Sequence, residues 1–198
     1  MTQPIEIGRL LRAGTTGFTA GCRVKQLDAP SFGALVRAPL ENGYQIFGVI
    51  YDIRIDDDGL VRQLVTAENV SDEVMRDNRE RRIVPVEMSV LSVGYEQDGR
   101  IYHLLPPRPP LSLDVIYLCN EREVVRFTER FGYFRHILNA KDIPIGEVIA
   151  AHLQQAGSAR GAGREKWKEA ATHEIITLLR DDYPTLMSVL GALSEVSV

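Results

Sequence analysis

The sequence predicts an α+β protein: a small antiparallel, Greek-key-like closed β-barrel over residues 1–117, followed by an α-helical region over 118–198. Three observations carry this. Short runs of alternating apolar residues are joined by Asn-Gly and Asp-Gly turns through the first half. A proline run, Pro106-Pro107-Arg108-Pro109-Pro110, interrupts the pattern. After residue 118 the apolar spacing changes from two to three and four, as on a helix face.

In order, 5–11 and 18–24 read as strands separated by a break at Gly14–Gly17, and 32–38 is a third strand ended by Pro39. Glu41-Asn42-Gly43 is a hairpin turn, because Asn and Gly accept positive φ. It leads into 44–55, where strict alternation from 49 to 55 fits a half-buried strand. Asp56-Asp57-Asp58-Gly59 reads as a solvated turn, 60–66 as a returning strand, and the charged stretch 68–82 as a loop or short helix. A strand over 83–96 turns at Gln97-Asp98-Gly99 into 100–105. Closing such short strands into a barrel removes the open edges they would otherwise leave. The proline run reads as a stiff spacer at a domain boundary rather than a ligand for a proline-binding module. One more strand is expected within 111–118.

Asn120 and Glu123 have the spacing of a capping box. Val124, Phe127, Phe131, Phe134 and Leu138 then follow on one face of a single expected helix, stopped at Asn139. Pro144 opens a second helix, with Ile145, Val148, Ile149 and Leu153 on one face. Residues 157–163, rich in glycine, read as a flexible link. A third helix spans 164–180, and Pro184 starts a short last one.

Composition limits function. The 198 residues are 44% apolar with a net charge of −4, which argues against a disordered chain and against a dedicated nucleic-acid binder. Cys22 and Cys119 are far apart and form no CxxC pair, so buried thiols are expected rather than a disulfide framework or zinc site. The first residues lack the basic and apolar stretches of a signal peptide, and no apolar run reaches the roughly 20 residues that span a bilayer. A cytoplasmic protein without membrane contact is the expectation.

No catalytic, cofactor or metal site is expected. The segment ending at Gly163 continues with Arg164 and Glu165, where a phosphate loop requires Lys and then Ser or Thr. His103, His136, His152 and His173 form no HExxH and no ligand pair with a cysteine. There is no GxSxG elbow, and the aspartate turn at 56–59 lacks calcium-loop spacing. On the positive side, Arg122, Arg126 and Arg130 recur every fourth residue beside Phe127, Phe131 and Phe134, with Arg135 following. These arginines and phenylalanines are the candidate interaction residues, for phosphate or acidic groups through the former and for apolar contact through the latter. The alternative is a solvated helix face. The cluster of Arg76, Arg79, Arg81 and Arg82 is interleaved with acids and reads as solvated.

The strand half resembles the HerA–ATP synthase barrel family. Ile7-Gly8-Arg9-Leu10, Ala34-Leu35-Val36-Arg37, Phe47-Gly48-Val49-Ile50, the segment 86–93 and the hairpin closing in the proline run carry the resemblance, which covers residues 5–110. In that family the barrel is an N-terminal module of ring-forming ATPases, among them HerA-like DNA translocases. The resemblance implies ring assembly or partner docking. It does not imply ATP hydrolysis, because this chain has helices where a motor domain would begin. The leading expectation is therefore a non-catalytic assembly protein whose partner is itself or a HerA-like ring ATPase, in a DNA-processing setting. A nucleic-acid-binding module using the barrel and the arginine-bearing helix is the alternative, disfavoured by the acidic balance. An enzyme built from dispersed residues is the second alternative.

Overall fold

A computed structural model describes residues 4–25, 30–55 and 83–196, together with the single positions 66, 71 and 76. The expected turn at 56–59, the strand at 60–66, the stretch 68–82 and the arginine cluster beginning at Arg76 lie outside the described residues, apart from those single positions.

Among the described residues, seven strands form one antiparallel sheet: β1 (Ile5–Ala13), β2 (Gly17–Lys25), β3 (Leu35–Pro39), β4 (Gln45–Ile55), β5 (Ile83–Gln97), β6 (Arg100–Tyr102) and β7 (Val115–Leu118). Their order is β2-β1-β7-β3-β4-β5-β6, and a further pairing of β2 with β5 closes six of them into a barrel. The 15-residue β5 makes closure possible. Along one edge its first part pairs with β2, from Lys25↔Ile83 to Gly17↔Leu91, and its last part pairs with β6. The other edge pairs with β4. β6 is therefore a short flap hung on the barrel rather than one of its staves.

The turns follow the sequence closely. Asn42 and Gly43 have φ of 58° and 73°, and Asp98 and Gly99 have 51° and 75°. Paired positive φ is what a tight hairpin between right-twisted strands requires. The proline run does not end the barrel. It joins β6 to β7, and β7 inserts between β1 and β3. Pro106 and Pro110 are buried, and the Arg108 guanidinium lies 5.9 Å from the Tyr44 ring centre, so the run packs across the barrel instead of standing off as a spacer.

Five helices follow: α1 (Glu121–Phe127), α2 (Phe134–Leu138), α3 (Ile145–Ser158), α4 (Arg164–Leu178) and α5 (Tyr183–Glu195). The capping box forms as spaced, with Asn120 Oδ1 accepting from the Glu123 N–H and Glu123 Oε2 accepting from the Asn120 N–H. The single helix expected over 121–138 is broken in two. Thr128 diverts the chain. Its hydroxyl donates back to the Val124 carbonyl (2.6 Å), and its own carbonyl accepts from Trp167 Nε1 (2.9 Å). Back-bonding by a threonine and a carbonyl turned toward a tryptophan end the helical ladder there. The expected flexible link at 157–163 is a built turn. Arg160 lies 4.0 Å from the Trp167 ring centre and donates to the Ala156 carbonyl and to Thr128 Oγ1, each at 2.6 Å.

There are two cores. Leu10, Phe18, Val36, Ile46, Ile50, Met88 and Ile116 are among the residues filling the barrel. A second cluster joins the barrel's outer wall, through Leu35, Phe47, Val49 and Val93, to the helices through Phe127, Tyr133, Phe134 and Trp167. β3 and β4 are thus buried on both faces where the helices cover them, which explains the near-continuous apolar run at 46–50.

Candidate interaction surface

The arginine stripe is the first feature to place. Arg126 donates to the Gly99 carbonyl (2.8 Å), Arg130 to the Ile101 carbonyl (2.9 Å) and Arg135 to the His103 carbonyl (2.7 Å). Ile101 is the middle residue of β6, and Gly99 and His103 flank the strand on either side, so the three carbonyls lie along one edge of the hairpin. Three guanidinium groups thus occupy an edge that would otherwise present unpaired acceptors. The one-helix-face reading put the arginines on a surface available to partners. In the fold, three of these four side chains bond inward, and Arg122 alone, exposed near the start of α1, makes no such bond among the described residues.

The phenylalanines also turn inward. Phe127 and Phe134 are fully buried, and Phe131 is partly buried against Phe134 and Trp167. Phe127 packs 4.6 Å, centre to centre, from Phe47 on the barrel wall. The expected apolar docking face is thus part of the chain's own core for Phe127 and Phe134, because the break at Thr128 lets both sides of the segment meet protein.

Polar groups line the seam between barrel and helices. Glu96, almost wholly buried on β5, is ion-paired with Arg126 and accepts from Gln45 Nε2 at 2.6 Å. Glu123 pairs with Arg37 Nε at 2.8 Å, and the Arg37 guanidinium rests 5.0 Å from the Tyr117 ring centre. Each carboxylate is matched by a guanidinium group, which matters most for the almost wholly buried Glu96.

Deeper lies a Tyr–His pair that sequence reading left unmatched. The Tyr133 hydroxyl and His152 Nε2 are 3.0 Å apart, and His152 Nδ1 is 3.0 Å from the Gly33 carbonyl. A carbonyl can only accept, so Nδ1 carries the proton and Nε2 accepts from the tyrosine. Burial lowers the His152 pKa from 6.5 to about 4, chiefly by desolvation, with the Gly33 carbonyl opposing the shift and Arg160 adding to it. Burial likewise raises that of Tyr133. The two bonds tie α3 to the residue that opens α2 and to the segment that enters β3. His103 donates to the Phe127 carbonyl (3.0 Å), and His136 to the His103 carbonyl (3.1 Å). Desolvation lowers both pKa values, that of His103 to about 4. Among the described residues no three His, Cys, Asp or Glu side chains come together as metal ligands. Cys22 is partly buried and Cys119 fully so, and burial raises both thiol pKa values.

Among the described residues, exposed apolar groups lie on both barrel and helices, and the two most exposed share one turn of the barrel. Leu111 and Leu113 are 70% and 71% exposed, on the turn between the proline run and β7. Asp114 Oδ2 accepts from the Leu111 N–H at 2.7 Å and fixes that turn. Leu113 has a φ of 74°, left-handed backbone that a leucine rarely adopts. Its N–H donates to the Leu10 carbonyl (2.8 Å), and the Leu10 N–H donates to the Asp114 carbonyl (2.9 Å). The leucine turn therefore lies against β1 where Leu11 is also exposed. The sequence signal was present in Leu111-Ser112-Leu113, but a strand reading of 111–118 hid it.

Compared with known protein families and with curated proteins, the chain matches none. No described helix is long and apolar enough to cross a membrane.

Proposed function

We propose that this protein is a non-catalytic assembly module whose barrel mediates self-association or docking to a HerA-like ring ATPase, in a DNA-processing setting. The observation that carries the reading is the leucine turn. Two leucines stand about seven-tenths exposed on a strained backbone held by Asp114, beside exposed Leu11. Strain held in place at an apolar surface is characteristic of contact sites. The resemblance of residues 5–110 to ring-forming barrels supports the same reading. So does the inward bonding of Arg126, Arg130 and Arg135, which leaves less of the stripe for nucleic acid than the spacing implied.

The test is mass in solution for the protein alone and mixed with candidate ring ATPases, with the Leu111→Asp/Leu113→Asp double variant alongside. Association that this variant abolishes supports the proposal. Association that it leaves intact removes the leucine turn from the account.

A further inference from the structure

We propose that a cleft between the barrel and the helical part binds a small organic phosphate, a proposal independent of the assembly reading. The cleft, about 860 Å³, lies between the β1–β2 turn, the middle of β5 and the segment that follows α2. That volume is in the range of small-molecule sites. Arg12, Arg135 and Lys141 line it, with His136 beside them, and no Asp or Glu belongs to its lining among the described residues. In a chain of net charge −4, three cations lining one concavity, with no carboxylate in its described lining, give it a positive field that favours an anion. Arg12 is held toward Thr19 by a 3.1 Å bond from Nε to Oγ1, and its distant pairing with Glu87, at 4.0 Å, leaves most of its charge available.

Two further features narrow the ligand. Ser92 also lines the cleft. It is fully buried, and its hydroxyl has no hydrogen-bond partner among the described residues, which buried hydroxyls rarely tolerate. The remaining wall includes Tyr51, Leu91, Leu105 and Ile143, a largely apolar surface. A doubly charged phosphate meets Arg12 and Lys141, with Arg135 adding charge through the N–H groups that its bond to the His103 carbonyl leaves over, and an aromatic or aliphatic body meets that wall. The bounded concavity and the acidic net charge favour a small molecule over a nucleic-acid strand.

Titration calorimetry of the full chain with phenyl phosphate and with inorganic phosphate tests this. Phenyl phosphate is expected to bind about tenfold more tightly than inorganic phosphate, and Arg12→Ala and Lys141→Ala are each expected to weaken it at least about tenfold. Both side chains are exposed, so the variants keep the fold, and Arg122→Ala, outside the cleft, should bind as the parent does. The absence of binding at millimolar phenyl phosphate overturns the proposal, as does affinity unchanged in Arg12→Ala and Lys141→Ala. An oligonucleotide that binds through these two residues while phenyl phosphate does not would also overturn it.

Discussion

At the scale of single residues, His152 shows how burial turns a titratable side chain into a structural one. Its neutral ring satisfies the Gly33 carbonyl on one side and the Tyr133 hydroxyl on the other. The folded pKa of about 4 lies below the ordinary 6.5. The unfolded chain therefore takes up a proton at a pH where the folded chain does not. The stabilisation is fully present above pH 6.5 and is lost as pH falls toward 4, by up to ~3 kcal/mol for this group. His103 and His136 shift in the same direction and steepen the loss. Urea denaturation followed from pH 7 to pH 4.5 should show falling stability, and His152→Gln should flatten that dependence. A wild-type profile without slope over this window would contradict the assignment. Gly33 belongs to the same tie. At φ 81° it has no room for a β-carbon, which would stand 2.6 Å from the Ala151 Cβ and 2.8 Å from the His152 N. Gly33→Ala should cost about 2–4 kcal/mol, read as a lowered urea midpoint, because both strain and a forced separation from α3 follow. Neither residue was marked by the sequence, since the partners lie 119 residues apart and no local pattern announces a pairing across that span.

At the scale of elements, the outcome turns on whether the deciding information is local. The Asn42-Gly43 and Asp98-Gly99 turns and the Asn120–Glu123 capping box rest on backbone chemistry within four residues, and each forms where its residues stand. The break of the helix at Thr128 does not. Val124, Phe127, Phe131, Phe134 and Leu138 do have helical spacing, but Trp167 and Arg160, more than 30 residues downstream, claim the Thr128 carbonyl and hydroxyl. The arginines follow the same rule. Their i, i+4 recurrence was plain, yet their target is a strand edge that exists only after β6 pairs with β5. Arg130→Ala alone should cost about 1 kcal/mol, since a partly exposed carbonyl can take water instead. Replacing Arg126, Arg130 and Arg135 together should do something different in kind. It bares the Gly99 and Ile101 carbonyls and leaves that of His103 to His136 alone, and light scattering should record concentration-dependent aggregation absent from the parent protein. A triple variant that scatters no more than the parent would contradict the edge-covering role.

At the scale of the whole molecule, the closed barrel followed by helices matches the architecture that the turn residues and the change of period predict. Chain order is less simply related to architecture. β7 lies beyond the proline run yet completes the barrel between β1 and β3, because a pattern of prolines reports backbone stiffness and not which strand comes next. The candidate surface moved for a related reason. Of the residues expected to face a partner, Phe127 and Phe134 are buried in the core between barrel and helices, and Arg126, Arg130 and Arg135 bond to carbonyls at the edge of β6. The most exposed of the large apolar side chains described are the two of the leucine turn, which only the folded backbone sets apart. The assembly account therefore rests on that turn. Its most direct test is sedimentation of the full chain, alone and with a HerA-like ring ATPase. The account predicts a species heavier than the 22.2 kDa chain, or a complex with the ATPase, returning to 22.2 kDa in Leu111→Asp/Leu113→Asp. A strict 22.2 kDa monomer at every concentration, forming no complex with any ring ATPase tested, would contradict it.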